Sequence, residues 1–232
     1  MKQNLKDFQT KINYFFKDEE KLFYGLTHRS YLNEHRGENL QSNETCEFLG
    51  DSILEFWISD KLFHQFPRFN EGELTNLRSL IVCTQNLALI ASNISLGDFI
   101  MLSKGEERHG GRTNQSILAD TFEAVLGSIY LDGGTTPAFK FLEKTLNLSI
   151  SELSSKQVYK DPKSVFQEIA QSKKGITPNY KTISESGPDH KKAFKVAVFI
   201  NEELIATGNG NSKQKAEEDA SIKATKIFTN LV

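Results

Sequence analysis

The chain has 232 residues, 38% of them hydrophobic with 17 Phe, which is enough to build one large packed domain or two smaller ones. Its two cysteines, Cys46 and Cys83, are neither numerous nor motif-spaced; this excludes a disulfide framework and a zinc site and points to a reducing compartment. The net charge of −2 conceals a split: residues 156–232 carry 13 Lys against 9 acids, for +4, and residues 1–155 carry −6, so only the C-terminal part attracts a polyanion without help from a metal.

The N-terminus, Met1-Lys2-Gln3-Asn4-Leu5-Lys6-Asp7, is polar and lacks an apolar signal region. No run of about 18 apolar residues follows, so a cytoplasmic protein with no membrane span is expected. Leu5, Phe8, Ile12, Phe15 and Phe16 recur at helical spacing. Segments 27–31, 44–63, 74–92, 116–131 and 136–146 read likewise, with breaks at Gly37, 67–72, 105–111 and Gly133-Gly134. Ser116 is placed as a helix N-cap, and Pro137 suits a first helical turn.

An all-α domain is therefore expected over residues 1–150, with a Ser-rich linker at 151–160. Asp161-Pro162 then reads as an N-cap followed by Pro at the first helical position, opening a helix to about Ser172. Segments 180–186, 194–200 and 203–208 read as short strands. Ser212 caps a last helix in which Ala216, Ala220 and Ala224 repeat at i+4. Residues 161–230 are thus expected to form a small α+β domain of order α-β-β-β-α.

The chemistry-bearing residues are acids in two helical motifs. Glu44, Glu47 and Asp51 fall at i, i+3 and i+7 and share one helix face; Asp120 and Glu123 share another. Phe48, Leu49, Ile53 and Leu54 surround the first set, and Ile117, Leu118, Phe122 and Val125 the second. Carboxylates beside core residues are costly unless something positive joins them, and Mg²⁺ takes hard oxygen ligands. Gly208-Asn209-Gly210-Asn211-Ser212-Lys213 lacks P-loop spacing and reads as a turn before a capped helix.

These residues resemble bacterial ribonuclease III. Glu47-Phe48-Leu49-Gly50-Asp51-Ser52 matches the core of that family's signature, and Leu118-Ala119-Asp120 with Glu123-Ala124 matches its second acidic element. Thr27-His28-Arg29-Ser30-Tyr31 and Gly110-Gly111-Arg112 also match. So do Asp161-Pro162-Lys163, Gln167-Glu168, Gly187-Pro188-Asp189-His190 and Ser212-Lys213-Gln214-Lys215-Ala216 in the second part. The resemblance implies an endonuclease domain followed by a double-stranded-RNA-binding domain, acting as a homodimer with Mg²⁺ and no organic cofactor. It implies cleavage of double-stranded RNA by a metal-activated water, leaving 5′ phosphate and 3′ hydroxyl ends with short 3′ overhangs, in the processing of ribosomal RNA precursors and mRNA. Glu47, Asp51, Asp120 and Glu123 would be the metal ligands and catalytic residues. Glu44, Gln167, Glu168, His190, Ser212, Lys213 and Lys215 would contact RNA, and Lys104, Arg108 and Arg112 could meet phosphate. The family usually has a basic and an aliphatic residue where this chain has Thr45 and Cys46. Gln214 also interrupts the basic run of the last helix, with Glu217, Glu218 and Asp219 following, so weaker phosphate contact is expected.

The residues alone leave two rivals open. One is a non-catalytic double-stranded-RNA-binding protein whose helical domain serves assembly. The other is a metal phosphohydrolase acting on small nucleotides, which leaves the C-terminal part unexplained.

Overall fold

Leu5, Phe8 and Ile12 line the buried face of the first helix, α1 (Lys2–Ile12), in the computed structural model, which describes residues 2–35, 40–155, 161–188 and 192–229. The chain divides into two compact units, Met1–Tyr159 and Lys160–Val232. The first is helical: α2 (Glu19–Leu26), α3 (Arg29–Glu34), α4 (Glu44–Gln65), α5 (Glu71–Val82), α6 (Thr84–Asn93), α7 (Lys104–Arg108), α8 (Gln115–Gly133) and α9 (Thr135–Ser155). Gly37 and residues 156–160, which carried an expected break and the end of the expected linker, lie outside the described residues. α9 runs on through Ser155, with Ile150 fully buried near its end.

Three local details differ from the pattern reading. Segment 74–92 is two helices, because Cys83 is extended (φ −64°, ψ 150°) and turns the chain. The turn lets Leu77 and Ile81 on α5 and Leu87 and Ala91 on α6 enter the same core. The Ile81 carbonyl near the break accepts from the Asn86 side chain at 2.6 Å. The Gly105 stretch holds a short helix, α7, capped by Ser103 accepting from the Glu106 N–H. The N-cap of α8 is Asn114 rather than Ser116; its Oδ1 accepts from the N–H groups of Ser116 and Ile117 at 2.9 and 3.2 Å.

α8 is the central helix. Ile117, Leu118, Phe122, Val125, Leu126 and Ile129 are buried around it, so it is apolar on nearly every side. Its most extensive contact is with α4, whose Cys46, Gly50, Leu54, Trp57, Ile58 and Leu62 form the inward face. The two helices meet backbone to backbone. A Cβ on Gly50 would fall inside the Glu123 carbonyl, and one on Gly127 inside the Cys46 carbonyl. No residue but glycine allows that approach. Phe48, by contrast, points outward and is 77% exposed.

Asp132 closes the far end of α8 against the N-terminal segment. Its carboxylate accepts from the Tyr14 hydroxyl at 2.6 Å, the Lys17 N–H at 2.9 Å and the Asp18 N–H at 3.1 Å, and pairs with Lys21. Burial works against its charge, but these donors overcome burial and hold the carboxyl below its usual range. Asp132→Ala orphans the Tyr14 hydroxyl and the Lys17 and Asp18 N–H groups, while Lys21 keeps Asp18 at 3.5 Å; it is expected to lose about 3 kcal/mol in urea denaturation. A depressed acid stabilises above its unfolded pKa and loses that as pH falls. The deficit should therefore shrink below about pH 4; an undiminished deficit at acid pH would mean the charge is not what holds the segment.

The second unit is α10 (Pro162–Lys174), β1 (Asn179–Ser186), β2 (Ala193–Ile200), β3 (Glu203–Gly210) and α11 (Lys213–Thr229). Asp161 caps α10 by accepting from the Ser164 N–H, and Gly175 ends it in the left-handed region at φ 68°. The strands form one antiparallel sheet in the order β1-β2-β3, with Tyr180 opposite Val198 and Val196 opposite Gly208. Ala216, Ala220 and Ala224 are fully buried on α11. They are small because α11 lies directly on β3: a Cβ at Gly208 would strike the backbone of Ala216 and Ala220. Phe166, Val198, Ile200 and Phe228 fill the space between helices and sheet.

Candidate active site

The glycine crossing sets the site. Glu47 follows Cys46 on α4, and Glu123 carries the carbonyl that Gly50 faces on α8, so close backbones bring their side chains together. Asp120 stands one turn earlier on α8. Carboxylate oxygens of Glu47, Asp120 and Glu123 all lie within 4.8 Å of one another, a spacing at which one cation can hold three oxygens. Asp51 is exposed, one turn beyond Glu47, and outside that triad. Its charge still reaches Glu123 and Glu47.

The three acids resist ionisation. Burial raises Glu123 to about 8, and the negative charges of Asp51, Asp120, Glu47 and Glu55 add to it. Burial likewise raises Glu47, reinforced by Asp120, Glu44 and Asp51 and opposed by Arg29. Burial raises Asp120, opposed by His28 and Arg29. A group of half-desolvated carboxylates that repel one another fits a hard divalent cation such as Mg²⁺, which would relieve both burdens.

A cleft of about 810 Å³ opens beside the acids. Asn33, Asn43, Asn114 and Ser116 line it together with His28, Arg29, Glu44, Glu47, Glu106 and Asp120. His28 caps α3. Its Nδ1 accepts from the Ser30 N–H at 3.3 Å and lies 2.8 Å from the Ser30 hydroxyl, which itself accepts from the Ser103 N–H at 3.1 Å. That chain leaves the ring proton on Nε2 when the ring is neutral. Burial holds the His28 pKa below its ordinary value. Glu44 accepts from the Ser42 hydroxyl at 2.7 Å and pairs with Arg29 at 3.7 Å.

Arg112 is half-buried, and its guanidinium is already engaged within the protein. Its guanidinium donates to the carbonyls of Gly97 and Ile100 at 2.8 and 3.1 Å and pairs with Glu107 at 2.6 Å, so it ties the segment before α8 to the core. Lys104 and Arg108 are exposed. On the second unit, Gln167 and Glu168 are neighbours on the exposed side of α10, and Lys213 and Lys215 are exposed at the start of α11. Ser212 accepts from the Lys215 N–H at 3.2 Å. His190 lies outside the described residues. Glu217 pairs with Lys163 at 2.6 Å, and Asp219 accepts from the Asn209 N–H while pairing with Lys223.

A family model described as ribonuclease-III-like matches residues 18–150, and one described as a double-stranded RNA binding motif matches residues 162–227. Ribonuclease 3 of Carboxydothermus hydrogenoformans is 41% identical over 229 residues, covering 99% of this chain and 97% of that protein. The chain belongs to the ribonuclease III family. It is an endoribonuclease of that family, with a double-stranded RNA binding motif after the nuclease domain. Ribonuclease 3 of Anoxybacillus flavithermus is 44% identical over 216 residues, covering 93% of this chain and 90% of that protein. Among solved structures, the nuclease domain of ribonuclease III from Campylobacter jejuni aligns with TM-score 0.57 and 35% identity, over 62% of this chain and 94% of that one. A second structure of that domain, described as showing flexibility in a region involved in dimer formation, aligns with TM-score 0.54 and 38% identity, over 60% of this chain and 96% of that one.

Pattern reading singled out the acids but not their surroundings. Asn33, Asn43 and Asn114 carry no spacing signal of their own, and Arg29 passed as one letter of a matching motif. Among the described residues, no helix is long and apolar enough to cross a membrane.

Proposed function

We propose that this ribonuclease III cuts double-stranded RNA with Mg²⁺ bound by Glu47, Asp120 and Glu123, flanked by Asp51. The observation that carries the reading is the convergence of three partly desolvated carboxylates within 4.8 Å at the α4–α8 crossing, on a chain that also holds a double-stranded RNA binding motif. When bound, the metal supplies an acidified water and offsets charge on the leaving oxygen. The residues do the rest. Glu47, Asp120 and Glu123 would hold the cation through their carboxylate oxygens, and its charge would favour the ionised form of Glu123. The neutral amides of Asn33, Asn43 and Asn114 line the cleft beside them. Attack by water in line with the 3′ oxygen leaves a 5′ phosphate and a 3′ hydroxyl.

Gln167, Glu168 and His190 would reach 2′-hydroxyls across minor grooves, over about 16 base pairs. The α11 N-terminus, with Ser212, Lys213 and Lys215, would hold the intervening phosphates. Glu44 would contact RNA at the cleft rim. The protein would act as a homodimer joined through the exposed Phe48 face of α4, each site cutting one strand to leave short 3′ overhangs. Its setting would be the cytoplasm, and its tasks the maturation of ribosomal RNA precursors and mRNA.

Incubating the full chain with an end-labelled RNA duplex, with Mg²⁺ or with EDTA, tests this. Cuts in both strands, offset by a short 3′ overhang, are expected only with Mg²⁺, and a retarded intact duplex with EDTA. An intact retarded duplex under both conditions would leave binding alone. Cuts confined to one strand, from a chain that sediments as a monomer, would remove the paired-site part.

A further inference from the structure

The cleft is strongly anionic for a site that must receive a polyanion. Glu44, Glu47, Glu106 and Asp120 line it, and among its described lining residues Arg29 is the only permanent cation. His28 does not share that duty, because burial favours its neutral ring. Loading a divalent ion on Glu47 and Asp120 still leaves Glu44 and Glu106 facing an incoming phosphate. Some fixed positive group must offset them where the strand passes.

Arg29 is placed and held loosely enough to do so. It is the first residue of α3, directly after the His28 cap, so its backbone is set while its side chain is 74% exposed. Its present partner is weak: Nη1 stands 3.7 Å from Glu44 Oε1, a long pair between two exposed side chains, and such pairs contribute little. The other Glu44 oxygen is already satisfied by Ser42 at 2.7 Å, so Glu44 keeps a partner when Arg29 departs. The Arg29 charge also reaches Glu47 and Asp120, which puts it within electrostatic range of the acids that would hold the metal. A guanidinium fork matches two phosphate oxygens in a way an ammonium cannot.

We propose that Arg29 leaves Glu44 on substrate entry and grips a phosphate of the RNA strand next to the one being cut. This rests on the endonuclease reading, and it adds a strand-positioning residue outside the acidic set. Glu44 then acts as a parking place for the guanidinium, and exchange of one anion for a better one draws the strand toward the acids.

The test uses single-turnover cleavage of an RNA duplex by the full chain in Mg²⁺, with Arg29→Ala and Arg29→Lys beside wild type. Arg29→Ala should cut about tenfold more slowly with enzyme in excess of RNA but below saturation, and Arg29→Lys should recover only part of the loss, because it keeps charge but not the fork. The duplex is then made with single uncharged methylphosphonate linkages, one position at a time. One linkage should slow wild type about tenfold and leave Arg29→Ala no slower than on unmodified RNA, since the contact is already gone. Added guanidinium ion should restore part of the Arg29→Ala rate. Wild-type rates for Arg29→Ala at every enzyme concentration, or neutral linkages that slow both proteins equally at all positions, would overturn the proposal. An inert wild-type chain would instead count against the endonuclease reading.

Discussion

Glu123→Gln is expected to lose cleavage on the order of 10³-fold in Mg²⁺, equivalent to about 4 kcal/mol of transition-state stabilisation, while still retarding the RNA duplex. Glutamine keeps the shape and one oxygen but supplies no charge to a cation. Binding should survive because the RNA-binding motif lies in the other unit. The same substitution should raise stability without metal. Burial and four neighbouring acids lift the Glu123 pKa to about 8. The folded chain therefore holds a proton that the unfolded chain has released between about pH 4.5 and 8, and wild-type stability falls as pH rises through that window. Gln removes the titration. In EDTA, the variant and wild type should melt together near pH 4.5. Above pH 8 the variant should be more stable by about 2 kcal/mol, a figure discounted for the partial exposure of the site. Mg²⁺ should reverse the order by stabilising wild type alone, through ligand linkage. Equal melting of both proteins in EDTA at pH 8.5 would show that Glu123 is well solvated and not poised for a cation. Unchanged cleavage by Glu123→Gln would remove it from the metal site altogether.

The domain order and the acids were legible because both are written in local periodicity. Asp161-Pro162 announces α10, and Ser212 with the alanine stripe announces α11. The i, i+3 spacing of Asp120 and Glu123 puts both on one face of α8 whatever the tertiary structure. What local pattern could not supply is which turn of α4 meets which turn of α8. Glu44, Glu47 and Asp51 make one stripe in sequence, yet only Glu47 joins the triad, because the crossing point at Gly50 selects it. The break at Cys83 was hidden for a related reason. Apolar residues continue through it without a Gly or Pro, and only the shared core demands that α5 and α6 turn. Arg112 looked like a surface cation until the carbonyls of Gly97 and Ile100 were brought to it by the fold. Phe48 and Leu54 stood together as apolar residues beside the first acidic set, and helix phase sends Leu54 inward and Phe48 outward.

Gly127→Ala should be among the most damaging single-methyl additions in the chain. The new Cβ falls on the Cys46 carbonyl, and the neighbouring Gly50 N–H lies 3.2 Å away, so neither obstacle is a flexible side chain that can swing aside. Relief requires α4 and α8 to separate along their main contact. Overpacking of backbone against backbone is expected to reduce stability by about 3 kcal/mol or more, despite the gain in helix propensity of up to about 1 kcal/mol from Gly to Ala. Separation also moves Glu47 away from Asp120 and Glu123. The fraction that stays folded should then need about tenfold more Mg²⁺ for half-maximal cleavage, because a ligand set opened by even 1 Å loses much of its hold on a small octahedral cation. Gly105→Ala is the matched control. Its Cβ meets only the Ser103 hydroxyl, at 3.7 Å, in the short helix α7, so it should be neutral or slightly stabilising and leave the Mg²⁺ requirement unchanged. Urea midpoints and Mg²⁺ titrations of the two variants separate the effects. If Gly127→Ala matched Gly105→Ala in both, the acids would owe their convergence to something other than the close approach of α4 and α8.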